Sequence, residues 1–377
     1  MLVFEAIIIM VFSLVSLCLA SWSTHRVDRI DVGVRLPSCP AGPVCDCGGG
    51  CAASGGICSC TSCGTCHDCD SCSCCLPEPP APWVDAAAHA DLLWAPNDQA
   101  VLGSLKATIG NGYLAAQIDA PTMFLAGVFN GPAAGKTPSH RAAISSPLNW
   151  WPDGFVGAGA ALDLRGARYL RRSAGALGVD AMVEQRWYAH RSGERMGLLV
   201  MEVESIGGAA DIRLLGGLEK VDTTDVRFSV QRANLTLADN STSEVLIVSG
   251  DTRVPETSTV PPVTVCIVVS VPPPGTFTLN GTRHFIASFA TSLETTSPEE
   301  AAKAAFSRAM PLAPSALSAS HATEWASLWR SGVELEGGRP DAAVAINASL
   351  YYLLSSIRWD THMHMHMHMH MHMHTHT

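Results

Sequence analysis

MVEQRWYAHRSGERMGLLVMEV, residues 182–203, decides how this chain folds. The stretch holds two runs of strand length, Met182 to Tyr188 and Leu198 to Val203, rich in aromatic, β-branched and long apolar residues. Between them lies a polar segment containing Ser192-Gly193, and runs of this size bounded by turn residues are strands. The texture recurs at Tyr113 to Ile118, Met123 to Phe129, Glu244 to Val248, Val263 to Val271 and His284 to Ala290. No amphipathic helices interleave with these runs, which argues against βαβ units. The expected fold is mainly β, a large antiparallel β-sandwich over residues 84–296.

Working outward toward the C-terminus, Ser297-Pro-Glu-Glu starts a helix with acidic residues at its positive end, continuing through Ala301 to Met310. Further helices are expected over Ser315 to Arg330 and Pro340 to Ile357, making residues 297–358 a helical linker or the start of a following helical region. In the last helix Val344, Leu350, Tyr351, Leu354 and Ile357 fall on one face. The chain ends in THMHMHMHMHMHMHTHT, and residues 359–377 read as a translated simple repeat that specifies no core. Copper or zinc chelation by its imidazoles and thioethers is the chemical alternative.

Outward in the other direction, Pro77 to Trp83 reads as a stiff proline-rich linker with polyproline II geometry. Before it, residues 21–76 form a low-complexity segment carrying twelve of the 14 cysteines: Cys39, Cys45, Cys47, Cys51, Cys58, Cys60, Cys63, Cys66, Cys69, Cys72, Cys74 and Cys75. Almost no large apolar residues accompany them, so only covalent or metal links would order the segment. The even count favours disulfides. The overlapping pairs Cys60-Thr-Ser-Cys63, Cys63-Gly-Thr-Cys66 and Cys66-His-Asp-Cys69 keep metal thiolate binding open, and low-complexity disorder is the third reading.

Residues 1–20 contain an apolar run, Ala6 to Ala20, too short for a comfortable membrane span. It fits a cleaved signal peptide, although Glu5 and the lack of Lys or Arg before the run depart from the usual positive start. An uncleaved anchor is the alternative, and membrane association is expected only in that case. Sequons at Asn234, Asn240, Asn280 and Asn347 agree with the secretory pathway and an extracellular or membrane-anchored location. The 377 residues are 47% hydrophobic and 15% charged, enough for a sizeable core. A net charge of -10 gives no broad basic surface, which argues against nucleic acid as a partner.

No nucleophile elbow, P-loop, His-Glu-x-x-His or dinucleotide fingerprint is present. What does stand out is an ordered series: Ile109-Gly-Asn-Gly-Tyr-Leu114, Phe124-Leu-Ala-Gly-Val-Phe-Asn-Gly131, Ser139-His-Arg-Ala142 and Ser146-Pro-Leu-Asn149. It continues with Leu162-Asp163, Ala167-Arg-Tyr-Leu170, Gln185-Arg-Trp-Tyr-Ala-His-Arg191, His321-Ala-Thr-Glu-Trp-Ala-Ser-Leu-Trp329 and Ala348-Ser-Leu-Tyr-Tyr-Leu-Leu-Ser355. This order resembles the N-terminal part of glycoside hydrolase family 65, from about residue 90 to 358. The resemblance implies a sandwich, a helical linker and then an (α/α)6 barrel in which the acid and base of an inverting glycosidase reside. That barrel is missing from the sequence as given. Its implied partner is a carbohydrate, an α-glucoside of trehalose-like or glucosylgalactosyl-hydroxylysine type, bound through the barrel, with no cofactor.

No residue is assigned as general acid or base, and no metal site is assigned. Trp359-Asp360 echoes a family substrate motif only by coincidence. The resemblance places Asn130, His140 and Arg141 near a substrate-pocket rim, with a structural loop contact as the competing reading. Glu184, Glu202 and Asp163 are expected on a solvated sheet face. His190 and Arg191 are expected to hold a strand pair in register, and Trp325 and Trp329 to pack in the core. Three functions compete: a fragment of an α-glucoside hydrolase, inactive alone; a non-catalytic secreted carbohydrate-binding or surface protein with a Cys-rich module; and a metal-handling protein. The sequence does not address oligomeric state.

Overall fold

The structure is a computed structural model that describes residues 52–54, 57–59, 79–95, 107–131, 139–175, 181–193, 197–218, 223–256, 259–333 and 340–358. Residues 1–20, expected to be a signal peptide or anchor, nearly all of the Cys-rich segment, residues 77–78 of the expected linker, Trp359-Asp360 and the Met-His tail lie outside the described residues. The early elements are a short hairpin, β1 (Ala52–Ser54) with β2 (Ile57–Ser59), helix α1 (Ala81–Ala88) and strand β3 (Leu92–Ala95). Next come β4 (Thr108–Gly110), β5 (Leu114–Gln117), β6 (Thr122–Leu125), β7 (Phe129–Asn130), β8 (His140–Arg141), β9 (Ile144–Ser145) and β10 (Trp150–Pro152). The long strands follow: β11 (Phe155–Asp163), β12 (Arg168–Gly175), β13 (Met182–Ala189) and β14 (Leu198–Ile206). Then come β15 (Ala210–Ile212), β16 (Leu214–Gly216), β17 (Val226–Thr236), β18 (Thr242–Thr252), β19 (Thr264–Ser270), β20 (Phe277–Leu279) and β21 (Thr282–Thr291). Helices α2 (Pro298–Ala309), α3 (Pro314–Trp329) and α4 (Pro340–Ser356) complete the series.

The expected antiparallel sandwich is present. A nine-stranded sheet, ordered β17-β18-β19-β21-β14-β13-β12-β11-β3, faces a four-stranded sheet ordered β4-β5-β6-β9. Side chains alternate across the large sheet, and one set meets the small sheet: Trp187, Met201, Phe285 and Ile267 pack with Ile109, Leu114, Met123 and Ile144 in one core. The opposite set, including Val200, Val268 and Ile286, packs against Ala302, Phe306 and Leu317 of α2 and α3. Helix α2 forms where the sequence placed it: Pro298 opens it, Glu299 and Glu300 lie in its first turn, and Lys303 pairs with both. The core reading of the tryptophans holds as well, for Trp325 and Trp329 are both buried.

Two local expectations change. The run Met123 to Phe129 is broken by a turn at Gly127, whose φ of 75° ends β6 before β7 begins. The proline-rich stretch is not extended throughout, because Pro80 is the last extended residue and α1 starts at Ala81. Pro at the first helical positions is compatible with helix, and the buried indole of Trp83 anchors α1 against Leu92, Ala161 and Leu170. Among the described residues no helix is long and apolar enough to cross a membrane.

Candidate functional site

Two of the three residues expected at a pocket rim, Asn130 and His140, sit around a carboxylate that the sequence did not single out, Asp225. Strands β7 and β8 pair Asn130 with His140, bringing both side chains to the residue just before β17. Asn130 Nδ2 donates to Asp225 Oδ1 at 3.2 Å, and His140 Nε2 lies 3.0 Å from the same oxygen. The Ala143 backbone N–H donates to Oδ2 at 2.8 Å. Burial alone would raise the Asp225 carboxyl, but the Ala143 N–H and His140 outweigh it and hold the group below its ordinary value. Asn130 is buried, and its Oδ1 accepts the Val254 N–H at 2.9 Å. Both ends of its amide are engaged, so Asn130 ties the β7 end to the segments around Asp225 and Val254. Arg141 lies on the exposed side of the same pair, while His140 is half-exposed.

A second constellation gathers the motif residues themselves. Asn111, at the β4–β5 turn, accepts the Tyr113 and Leu114 N–H groups through Oδ1 and donates through Nδ2 to the His190 carbonyl. Gly112 sits at φ 84°, and a Cβ there would lie 2.3 Å from the Ile357 backbone. Arg191 donates from Nη1 to the Leu354 carbonyl at 2.6 Å and from Nη2 to the Ile357 carbonyl at 2.8 Å. Tyr351 OH donates to the Thr108 carbonyl at 2.9 Å. The Ile109–Leu114 turn and the Ala189–Arg191 corner, far apart in sequence, therefore form one seat for the Tyr351–Ser355 end of α4.

Arg191 acts here differently from the sequence expectation. It caps the carbonyl end of α4, where a cation also complements the helix dipole, and lies over the Trp325 ring. Burial lowers its guanidinium to about 10. The His190 backbone does close the β13–β14 pair, donating to the Leu198 carbonyl, but its ring contacts Ser320 of α3 at 3.0 Å.

His321 is fully buried beside His190, with Nε2 2.9 Å from the Gly166 carbonyl and Nδ1 without a hydrogen-bond partner among the described residues. Burial first, and the neighbouring His190 second, push its pKa well below the ordinary imidazole value. The unfolded chain therefore binds the proton more readily. Stability from this group is full above about pH 6.5 and is lost as pH falls through the lowered folded value. The expected result is a melting temperature that declines more steeply between pH 7 and 5 than that of His321→Gln. Equal slopes in thermal unfolding would show that His321 is not a proton-linked group.

Of the three carboxylates expected on a solvated face, Glu184 and Glu202 are instead buried and Asp163 is half-buried. Glu184 is 5% exposed and Glu202 3% exposed. Arg172 Nε donates to Glu184 at 2.7 Å and Arg186 Nε at 2.8 Å, while Arg186 also pairs with Glu204. Tyr188 OH donates to Glu202 at 2.9 Å, and Arg168 Nη2 to Asp163 at 2.9 Å. Burial raises Glu202 above its ordinary value, against the pull of Tyr188 and Arg186. Alternation along β13 and β14 places these groups opposite the sandwich core. The covering layer that includes Trp83 of α1, with Arg172 over its ring at 5.6 Å, comes from distant sequence.

Among the four sequons, Asn234, Asn240 and Asn280 are exposed, but Asn347 is buried and its Nδ2 donates to the Ala90 carbonyl at 3.0 Å. Asn347 therefore packs α4 against the Ala90 turn, unlike the other three. No group of three or more His, Cys, Asp or Glu that could hold a metal occurs among the described residues.

The chain is 29% identical over 293 residues to protein-glucosylgalactosylhydroxylysine glucosidase of Dictyostelium discoideum, covering 75% of this chain and 40% of that protein. It is 30% identical over 267 residues to the protein of the same name from Gallus gallus, covering 67% of this chain and 35% of the relative. A putative kojibiose phosphorylase from human microbiome superimposes with a TM-score of 0.47 at 13% identity, over 71% of this chain and 42% of the other. No family model matches the chain. The chain thus spans about two-fifths or less of the length of these curated relatives. By these matches the chain is similar to the protein-glucosylgalactosylhydroxylysine glucosidases, and the order of its motifs resembles that of glycoside hydrolase family 65.

Proposed function

We propose that residues 90–358 are the non-catalytic front part of an α-glucoside hydrolase, acting on a glucosylgalactosyl-hydroxylysine or trehalose-like unit. The observation that carries this reading is the relation to two named glucosidases over 293 and 267 residues. The geometry supports the division of labour: the motif residues build a seat for α4, and Asp163, Glu184 and Glu202 are bound into ion pairs or hydrogen bonds. Glycoside hydrolysis needs one carboxyl group as proton donor and a second to activate water or attack the sugar. The leader and the three exposed sequons support a place in the secretory pathway.

Expression of the 377-residue chain in secreting eukaryotic cells tests this. The expected product is recovered from the medium, shifts on deglycosylation through Asn234, Asn240 or Asn280, and releases no glucose from glucosylgalactosyl-hydroxylysine or trehalose. Grafting residues 90–358 in place of the aligned part of the Dictyostelium protein is expected to leave a hydrolase. Glucose release by the chain alone would overturn the non-catalytic assignment. A folded but inactive graft would overturn the α-glucosidase reading.

A further inference from the structure

We propose that the ribbon formed by β10 and β16 is a non-catalytic sugar platform, on which the exposed indole of Trp151 stacks against the ring of a neutral glucopyranoside. The inference stands on this ribbon alone and is independent of where catalysis occurs. The two strands pair Trp150 with Gly216, Trp151 with Leu215 and Pro152 with Leu214. The ladder continues at both ends, from Asp153 N to the Arg213 carbonyl at 2.7 Å and from Gly217 N to the Asn149 carbonyl at 2.9 Å. Because side chains alternate, Trp150 and Pro152 point inward, while Trp151, Asp153, Arg213 and Leu215 share the outer face.

The inner face is fixed. Trp150 is buried edge-on against Phe285 at 5.2 Å, and its carbonyl accepts from Gln185 at 2.9 Å and Arg171 at 3.3 Å. The outer face is held just as firmly at one point. Gly216 has φ 97°, and a Cβ on it would fall 2.5 Å from a Trp151 ring carbon, so the indole rests directly on the glycine backbone. Next to it Gly217, at φ 98°, makes the same allowance for Trp150, at 2.1 Å from its ring nitrogen. Two consecutive left-handed glycines thus seat two consecutive tryptophans, one for the core and one for solvent. Trp151 remains 43% exposed. A large ring immobilised before any ligand arrives loses little entropy on binding.

The polar neighbours decide the class of ligand. Asp153 and Arg213 lie in the same row, their charged atoms 3.9 Å apart, with side chains 46% and 55% exposed. That separation is too long for a hydrogen bond, so carboxylate oxygens and guanidinium N–H groups can turn to hydroxyls beside the ring. The pair carries no net charge, which matches a neutral polyol better than a phosphate or a cation. Such a row supplies an apolar face for the C–H side of a pyranose and a donor–acceptor set for its edge.

The test uses the full chain labelled with 5-fluorotryptophan, with the Trp151 signal assigned by Trp151→Phe and maltose added as the probe. The Trp151 fluorine resonance is expected to shift saturably at millimolar sugar while the buried Trp150 and Trp187 signals stay in place. Asp153→Asn and Arg213→Gln are expected to weaken binding by about tenfold together. Trp151→Ala is expected to abolish binding in a chain that still melts as the parent does. An unshifted Trp151 signal, or maltose binding that survives Trp151→Ala, overturns the proposal. So does a change in sedimentation of the Trp151→Ala chain, which would make the ribbon a protein-docking face.

Discussion

Gly112→Ala is expected to destabilise the chain by about 2–5 kcal/mol, lowering the melting temperature on the order of 5–10 °C. Two costs combine. A left-handed φ of 84° costs an alanine roughly 1–2 kcal/mol, and its Cβ would fall 2.3 Å from the Ile357 carbonyl carbon and oxygen. That neighbour is backbone, held by Arg191, and cannot swing aside as a side-chain end would. Gly154→Ala separates the two costs, since its φ is 76° but nothing lies within 4 Å of the added carbon. It should lose only the conformational share. Thermal melts together with limited proteolysis of α4 give the answer; equal losses for the two variants would mean that the close approach at Gly112 contributes nothing.

Glu184→Ala is the second large expected effect, about 3 kcal/mol, because two guanidinium groups lose a shared counter-ion in an enclosed layer. The comparison that gives this figure meaning is Arg232–Glu244, another cross-strand pair. Its contact is 2.6 Å, against 2.7 Å for Arg172–Glu184, so distance does not separate them. Exposure does: 62% and 44% for the former, 20% and 6% for the latter. Solvent screens the outer pair, so Glu244→Ala should cost under about 1 kcal/mol. Glu184→Gln, still able to accept one bond, should fall between. Chemical denaturation of the three variants checks the order, and a Glu184→Ala loss no greater than that of Glu244→Ala would refute the argument from burial.

The sandwich was legible because its inner strands are written in bulky residues: Val265 to Val269 and Phe285 to Phe289 leave little room for another assignment. Strand β11, Phe-Val-Gly-Ala-Gly-Ala-Ala-Leu-Asp, carries no such run, since its small residues pack between neighbours that supply the bulk. Strand β12 reads Arg-Tyr-Leu-Arg-Arg-Ser-Ala-Gly, and Arg171 enters the core over the Trp187 ring at 4.9 Å while bonding Asp119. Charge in a strand therefore misreports which side faces water when a covering element comes from elsewhere in the chain. The carboxylate at the centre of the rim residues was illegible for a related reason. Asp225 stands 85 residues from His140 and 95 from Asn130, and nothing local marks it. The motifs of the α4 seat were visible in sequence, but their shared purpose appears only where three segments meet.

That seat grips the last turn of α4 through main-chain atoms, the carbonyls of Leu354 and Ile357 and the backbone of Ser355 and Ile357 against Gly110 and Gly112, with the Tyr351 hydroxyl on Thr108 one turn earlier. The receiving residues are chemically demanding, whereas the helix adds to its main-chain groups only a few specific side chains, Tyr351 and Asn347 among them. Substitution can therefore wander over the outward side of the last turns, at Tyr352 and Leu353, without disturbing the attachment. Side-chain identity at this joint matters in the socket and at Tyr351, and least on the outward side of the plug.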